Sequence, residues 1–188
     1  MKAILMILLC VTSVFACTDF QIIAKDNSVI NGRSMEFGPE TSSKLVVHPR
    51  GERFISKSPI GADAVKWNSK YGFVGLDIFG INTTVDGLNE KGLSVGVLWF
   101  PGAIYEPVSS NTKNVIEITD LSNWMLGNFA TVDEVRASLN NVTVWGEFNS
   151  LMNMVPPVHF AIHDANEKNM VVEFVNGQKK FMTILMEF

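Results

Sequence analysis

Val14-Phe15-Ala16-Cys17-Thr18-Asp19-Phe20 divides the chain in two. To its left, Met1-Lys2 precedes an apolar run from Ala3 to Phe15. A basic start, an apolar core of this length, and Val14 and Ala16 before the cut have the form of a secretory leader. Residues 1–16 are therefore expected to be a signal peptide and residues 17–188 one exported domain, periplasmic or secreted. Cleavage after Ala16 makes Cys17 the first residue. It then carries a thiol, which is a nucleophile, and an α-amine of pKa about 7.7–8.0, a base suited to neutral pH. To the right, Phe20, Ile22 and Ala24 begin an extended alternation, so the nucleophile stands at the head of a strand.

Two other readings of Cys17 remain open. Val14-Phe15-Ala16-Cys17 also resembles a lipobox, in which the thiol is acylated and anchors a surface or binding protein to a membrane, although Phe15 is bulky for that box. A lone cysteine can also be a small buried hydrophobe. Hydrophobic residues make up 47% and charged residues 18%, a balance that builds a globular core and not a disordered chain. A net charge of −4 argues against a nucleic-acid partner. No second apolar run reaches membrane-spanning length. The second cysteine, Cys10, lies in the leader, so the exported domain has no internal disulfide.

Further along, Asp26-Asn27 marks a turn and Val29 to Met35 resumes the extended pattern. A hairpin centred on that pair places Glu36 opposite Cys17, with Arg33 deeper and on the other face. Lys44 to Pro49 and Glu52 to Lys57 read as a second hairpin around Arg50-Gly51. Ala64 to Phe79 is β-rich, Asp86-Gly87 and Lys91-Gly92 punctuate a turn region, and Leu93 to Phe100 is a buried strand. Val115 to Asn128 has helical spacing. Thr131 with Glu134 forms a capping box for a helix from Val132 to about Asn140. His159–His163 and Met170–Val175 are strands, and Asn176-Gly177 signals a type I′ hairpin into Lys179–Leu185. Strands, two helices, then strands predict a layered α+β domain.

Cys17, Arg33, Glu36 and Trp99 are the candidate site residues. A permanent positive charge at Arg33 favours the thiolate. A carboxylate at Glu36 that holds the α-amine would orient the base. Trp99 reads as core or as pocket wall. His159 and His163 share a strand face, but no cysteine or acidic cluster completes a metal set, so neither metal nor cofactor is expected.

Several segments together resemble the choloylglycine hydrolase family, which includes bile salt hydrolases and penicillin V acylases and belongs to the N-terminal nucleophile hydrolases. They are Cys17-Thr18, Gly32-Arg33-Ser34-Met35-Glu36-Phe37, Ser69-Lys70-Tyr71-Gly72, Thr84-Val85-Asp86-Gly87-Leu88-Asn89-Glu90-Lys91-Gly92-Leu93, Val97-Leu98-Trp99-Phe100 and Asn128-Phe129-Ala130-Thr131-Val132-Asp133-Glu134. The resemblance implies an αββα sandwich and hydrolysis of a small-molecule linear amide: penicillin V, a conjugated bile acid or an N-acyl homoserine lactone. Cys17 would attack the carbonyl and form a thioester, with its own amine relaying the proton. Arg33 matches the arginine beside the nucleophile, and Glu36 stands where an aspartate is usual. Trp99 falls at the pocket position whose backbone N–H helps build the oxyanion hole. Asn89 and Glu90 read as turn-forming. The family continues past Met170–Val175 with Thr-Asn-Ser-Pro, whose asparagine completes that hole, and with a later arginine. Here the sequence runs instead through Met182 to Phe188. The expectation is a sandwich incomplete at its C-terminus and a poor or inactive catalyst, or a non-catalytic family member. The faces of Val171, Val172 and Phe174 would then lack full cover and favour self-association.

Overall fold

A computed structural model describes residues 17–38, 40–59, 61–150 and 152–184, so the proposed leader lies outside the described residues. Among the described residues, thirteen strands and two α-helices follow in chain order. They are β1 (Asp19–Ile23), β2 (Val29–Arg33), β3 (Leu45–His48), β4 (Arg53–Ile55), β5 (Lys66–Asn68), β6 (Phe73–Ile78), β7 (Ile81–Asn89), β8 (Ser94–Trp99), β9 (Val115–Glu117), α1 (Leu121–Asn128), α2 (Val132–Leu139), β10 (Thr143–Trp145), β11 (Val158–His163), β12 (Asn169–Val175) and β13 (Gln178–Met182). Seven of them form one antiparallel sheet in the order β13-β12-β11-β8-β7-β6-β3. The β1–β2 hairpin lies on one face of this sheet and the helices lie on the other.

Two glycines reveal these layers. A Cβ at Gly87 in β7 would sit 2.5 Å from Leu126 of α1. A Cβ at Gly96 in β8 would meet Arg33 and Asp19 of the hairpin, each at 3.4 Å. Asp86-Gly87 is therefore not the expected turn: β7 runs straight through it, because the missing side chain lets α1 approach the sheet. The turn comes at Lys91-Gly92, where Gly92 has φ +82°. Asn89 organises it from a buried position. Its Nδ2 donates to Leu126 O (2.8 Å) and Phe129 O (2.7 Å), and its Oδ1 accepts from the N–H of Lys91 (2.9 Å) and Leu93 (3.0 Å). Glu90 binds Arg50 through both oxygens (2.7 and 2.5 Å) and accepts from Gly72 N–H (2.9 Å). Turn-forming is thus too small a description: Asn89 also ties the sheet to the end of α1.

The helix-side face is the hydrophobic core. Phe160, Ile162, Val172, Phe174, Leu121, Met125, Leu126, Val135 and Leu139 are all fully buried there. Each such side chain contributes about 1.5–3 kcal/mol relative to exposure. Of Val171, Val172 and Phe174, expected to lack cover, the helix layer covers Val172 and Phe174, while Val171 lies on the other face and is half-buried. Uncovered apolar surface lies instead on the outside of the hairpin and on the hairpin-side face of β3, β6 and β7. Leu45 is paired there with Leu76, and Val47 with Val74, and Leu45 and Val47 are 69% and 70% exposed.

Three other local expectations change. β3 and β4 do not form a hairpin; β3 pairs with β6 and β4 with β5, because Arg50-Gly51 turns the chain out of one sheet and into another. The stretch from Val115 is β9 first, parallel to β10, then a 3₁₀ turn at Ile118–Asp120, and helical only from Leu121. In the first hairpin Asn27 adopts φ +64° and its N–H donates to Ala24 O (2.9 Å), giving a three-residue loop. That shifts the register by one, so Asp19 faces Arg33. The type I′ turn at Asn176-Gly177 forms with both φ positive (+53° and +71°). α2 starts where its capping box puts it, with Glu134 N–H donating to Thr131 Oγ1 (3.2 Å).

Candidate active site

Cys17 stands just before β1. Thr18 O accepts from Ser34 N–H (2.9 Å) and Thr18 N–H donates to Ser34 Oγ (3.2 Å), so the ladder continues past Asp19–Arg33. By that register Cys17 aligns with Met35 and shares a face with Asp19 and Arg33. Arg33 therefore needs no bulge to reach the thiol's side. Glu36 falls on the opposite side of the strand. It is exposed and makes no hydrogen bond or ion pair among the described residues, so the structure does not bring it to Cys17.

Cys17, Arg33 and Trp99 line one pocket of about 80 Å³ together with Phe37, Val97 and Ser122. The pocket opens where two strands part. β7 and β8 pair only at Asp86–Leu88 against Ser94–Gly96. Beyond Gly96 they splay, leaving backbone groups on each without a ladder partner. Arg33 fills the fork: its Nη1 donates to Val85 O (3.0 Å) on one strand and Val97 O (2.8 Å) on the other. Phe100 N–H donates across to Pro157 O (2.8 Å), so even-numbered backbone groups of β8 face β11. By alternation the N–H of Trp99 faces the opened fork, as a donor for a developing oxyanion must. Its ring packs edge-on against Phe37 with centroids 6.0 Å apart.

Behind the thiol lies a polar layer. His163 Nε2–H donates to Asp19 Oδ1 (2.5 Å), Asn31 Nδ2 donates to Ser94 Oγ (2.7 Å), and Asp86 Oδ2 stands 3.7 Å from Arg33 Nε. Burial pushes the Asp86 carboxyl up, Arg33 pulls it down, and Asp19 adds a smaller upward push. His159 sits on the same face of β11 as His163, 3.5 Å from Glu173 and stacked on Phe100, and its burial pushes its pKa down. The two histidines thus serve different partners. Among the described residues no three His, Cys, Asp or Glu side chains gather to hold a metal, and no helix is long and apolar enough to cross a membrane.

The family model for linear amide C–N hydrolases of the choloylglycine hydrolase family matches residues 17–184. The chain belongs to that family. The penicillin V acylase of Pectobacterium atrosepticum is 28% identical over 174 residues, covering 87% of this chain and 46% of its own. A bile salt hydrolase/transferase of Clostridium perfringens is 29% identical over 160 residues, covering 84% and 47%. Among solved structures, the penicillin V acylase of Agrobacterium tumefaciens superposes with a TM-score of 0.77 at 28% identity, over 88% of this chain and 49% of its own. The chain spans about half the length of these relatives. The chain thus shares the family's layered sandwich fold over about half of the relative's length.

Within this choloylglycine hydrolase fold, sequence reasoning missed Asp19, Asp86 and His163 around Arg33. Asp19 could have been found: it lies two residues from Cys17 and so on the same strand face. Asp86 was taken for a turn residue. His163 is 144 positions from Asp19, and no local pattern links them.

Proposed function

We propose that this chain carries the nucleophile half of an exported amidohydrolase acting on a small linear amide. The observation that carries the reading is the shared pocket of Cys17 and Arg33 at the β7/β8 fork, lined mostly by apolar side chains elsewhere. The proposed order begins with removal of residues 1–16, which frees the α-amine of Cys17. The amine takes the thiol proton, the thiolate adds to the amide carbonyl, and the Trp99 N–H receives the oxyanion. The leaving amine departs with the relayed proton, and water then cleaves the thioester to release the acid. Arg33 stabilises the thiolate. The apolar walls at Phe37, Val97 and Trp99 suit a hydrophobic acyl group. The relatives' names make penicillin V and conjugated bile acids the first substrates to try, with an acyl homoserine lactone as the third.

Expressed so that Cys17 is its true N-terminus, the chain should cleave at least one of these amides at the low rate expected of an incomplete oxyanion hole, measured by release of the free amine. Cys17→Ala should abolish that turnover and Arg33→Ala should lower it by about 10²-fold or more, the scale of losing an electrostatic stabiliser. Glu36→Asp, exposed and away from the pocket, should change it less than twofold. Unaltered turnover by Cys17→Ala would sink the mechanism. Intact mass of the exported protein tests the processing: a chain beginning at unmodified Cys17 is expected, whereas a diacylglycerol increment on Cys17 would replace this reading with the membrane-anchored one.

A further inference from the structure

Arg33 is a buried cation with spare bonding capacity. Its side chain is 8% exposed, Nη1 is engaged by two carbonyls, and Nε and Nη2 have no hydrogen-bond partner. A guanidinium in that state ordinarily draws in the nearest carboxylate as a bidentate pair. Two carboxylates are near. Asp86 Oδ2 is 3.7 Å from Nε, beyond hydrogen-bond length. Asp19 is the cross-strand partner of Arg33, and both side chains reach to within 3.4 Å of one point over Gly96, where no side chain separates them.

Asp19 nevertheless bonds elsewhere, to His163 Nε2 at 2.5 Å. The His163 ring is buried and its Nδ1 has no partner, so the bond to Asp19 is the one polar contact the side chain makes. The other titratable groups of this layer, His159 on β11 and Glu173 on β12, face each other at 3.5 Å. Of the two carboxylates near Arg33, Asp19 is the one engaged by another side chain.

We propose that His163 is a positioning residue: by holding Asp19 it keeps that carboxylate from pairing with Arg33, so the guanidinium's charge stays available at Cys17. This rests on the reading of Cys17 as a nucleophile assisted by Arg33. With His163 removed, Asp19 swings onto Arg33 and cancels much of its field, and the thiolate loses its support.

The test is the rate of Cys17 alkylation by iodoacetamide as a function of pH. Peptide mapping separates Cys17 from Cys10 in the full chain, and the measurement is repeated on the chain beginning at Cys17. Arg33→Leu sets the baseline without the cation. His163→Leu should raise the midpoint of the profile and slow alkylation at pH 7 about tenfold, the lower end of what one nearby opposite charge does to a titrating group. His163→Gln keeps an N–H donor for Asp19 and should stay within about twofold of the parent. The double variant Asp19→Asn/His163→Leu should recover the parent rate, because no carboxylate remains to quench Arg33. A purely structural tie predicts the reverse: the double variant would be as slow as His163→Leu or slower. That result, or an unchanged profile in a folded His163→Leu, overturns the proposal. Thermal unfolding of each variant establishes that it is folded. A parent midpoint equal to that of Arg33→Leu would instead overturn the underlying assignment of Arg33 to Cys17, and the inference with it.

Discussion

The two faces of the seven-stranded sheet are held by opposite means. On the helix side, β11 and β12 present Phe160, Ile162, Val172 and Phe174 to α1 and α2, and apolar packing dominates, with Asn89 and Ser122 adding polar ties from β7 to α1. On the other side, the β1–β2 hairpin turns its polar residues inward. Gln21, Asn31, Asp19 and Arg33 face the sheet, while Phe20, Ile22 and Ile30 are about half exposed on the outside. The hairpin is fastened by Asp19–His163, Asn31–Ser94 and the Arg33 fork, which are directional bonds of modest net worth. The contrast teaches where stability and chemistry reside. The apolar face fixes the sheet, and the polar face sets charges around Cys17. Polar contacts are well suited to that task because they act at one distance and one angle, whereas hydrophobic burial is indifferent to both.

The comparison can be broken most sharply in the core. Phe160→Ala removes a fully buried ring that packs edge-on against Phe174 and should cost about 3–5 kcal/mol, read from urea unfolding. If the loss is below about 1 kcal/mol, the helix side is not the stabilising face. Asn89→Ala comes next. It strands two carbonyls and two N–H groups at the joint of β7, β8 and α1, and should cost about 1–3 kcal/mol. Its effect should appear in stability before it appears in Cys17 reactivity, since Asn89 touches the helix layer and not the pocket.

On the hairpin's outer face the effect should be far smaller. Phe20→Ser with Ile30→Ser should change stability by no more than about 0.5 kcal/mol and should lower binding of an apolar dye. A loss as large as that of Phe160→Ala would mean that these side chains are covered. The smallest effect concerns pH. The bond from Arg50 holds the Glu90 carboxyl down from 4.5 to about 2, so its contribution is present above the unfolded value and fades as pH falls through about 2. Glu90→Gln should flatten that part of the acid limb of stability against pH and lower neutral stability by the same small amount, because the pair is exposed at Arg50.

Much of the layout was legible in the sequence where the cause is local. Cys17 at the head of a strand, the capping box of α2, the I′ turn at Asn176-Gly177 and the positions of β8, β11 and β12 follow from alternation, caps and turn chemistry, which act within a few residues. The motif set also carried the family and the α+β class. What only the tertiary structure decided is which strand lies beside which, and therefore what each side chain faces. One αL residue, Asn27, moved the hairpin register by one, and that step put Arg33 on the thiol's side and Glu36 in solvent. Asp86-Gly87 reads as a turn locally and is a strand because α1 packs on the bare glycine. Asp19 meets His163 across 144 residues. The physical reason is common to all three. Local propensity is worth tenths of a kcal/mol per residue, and it yields wherever packing and long-range pairing offer more.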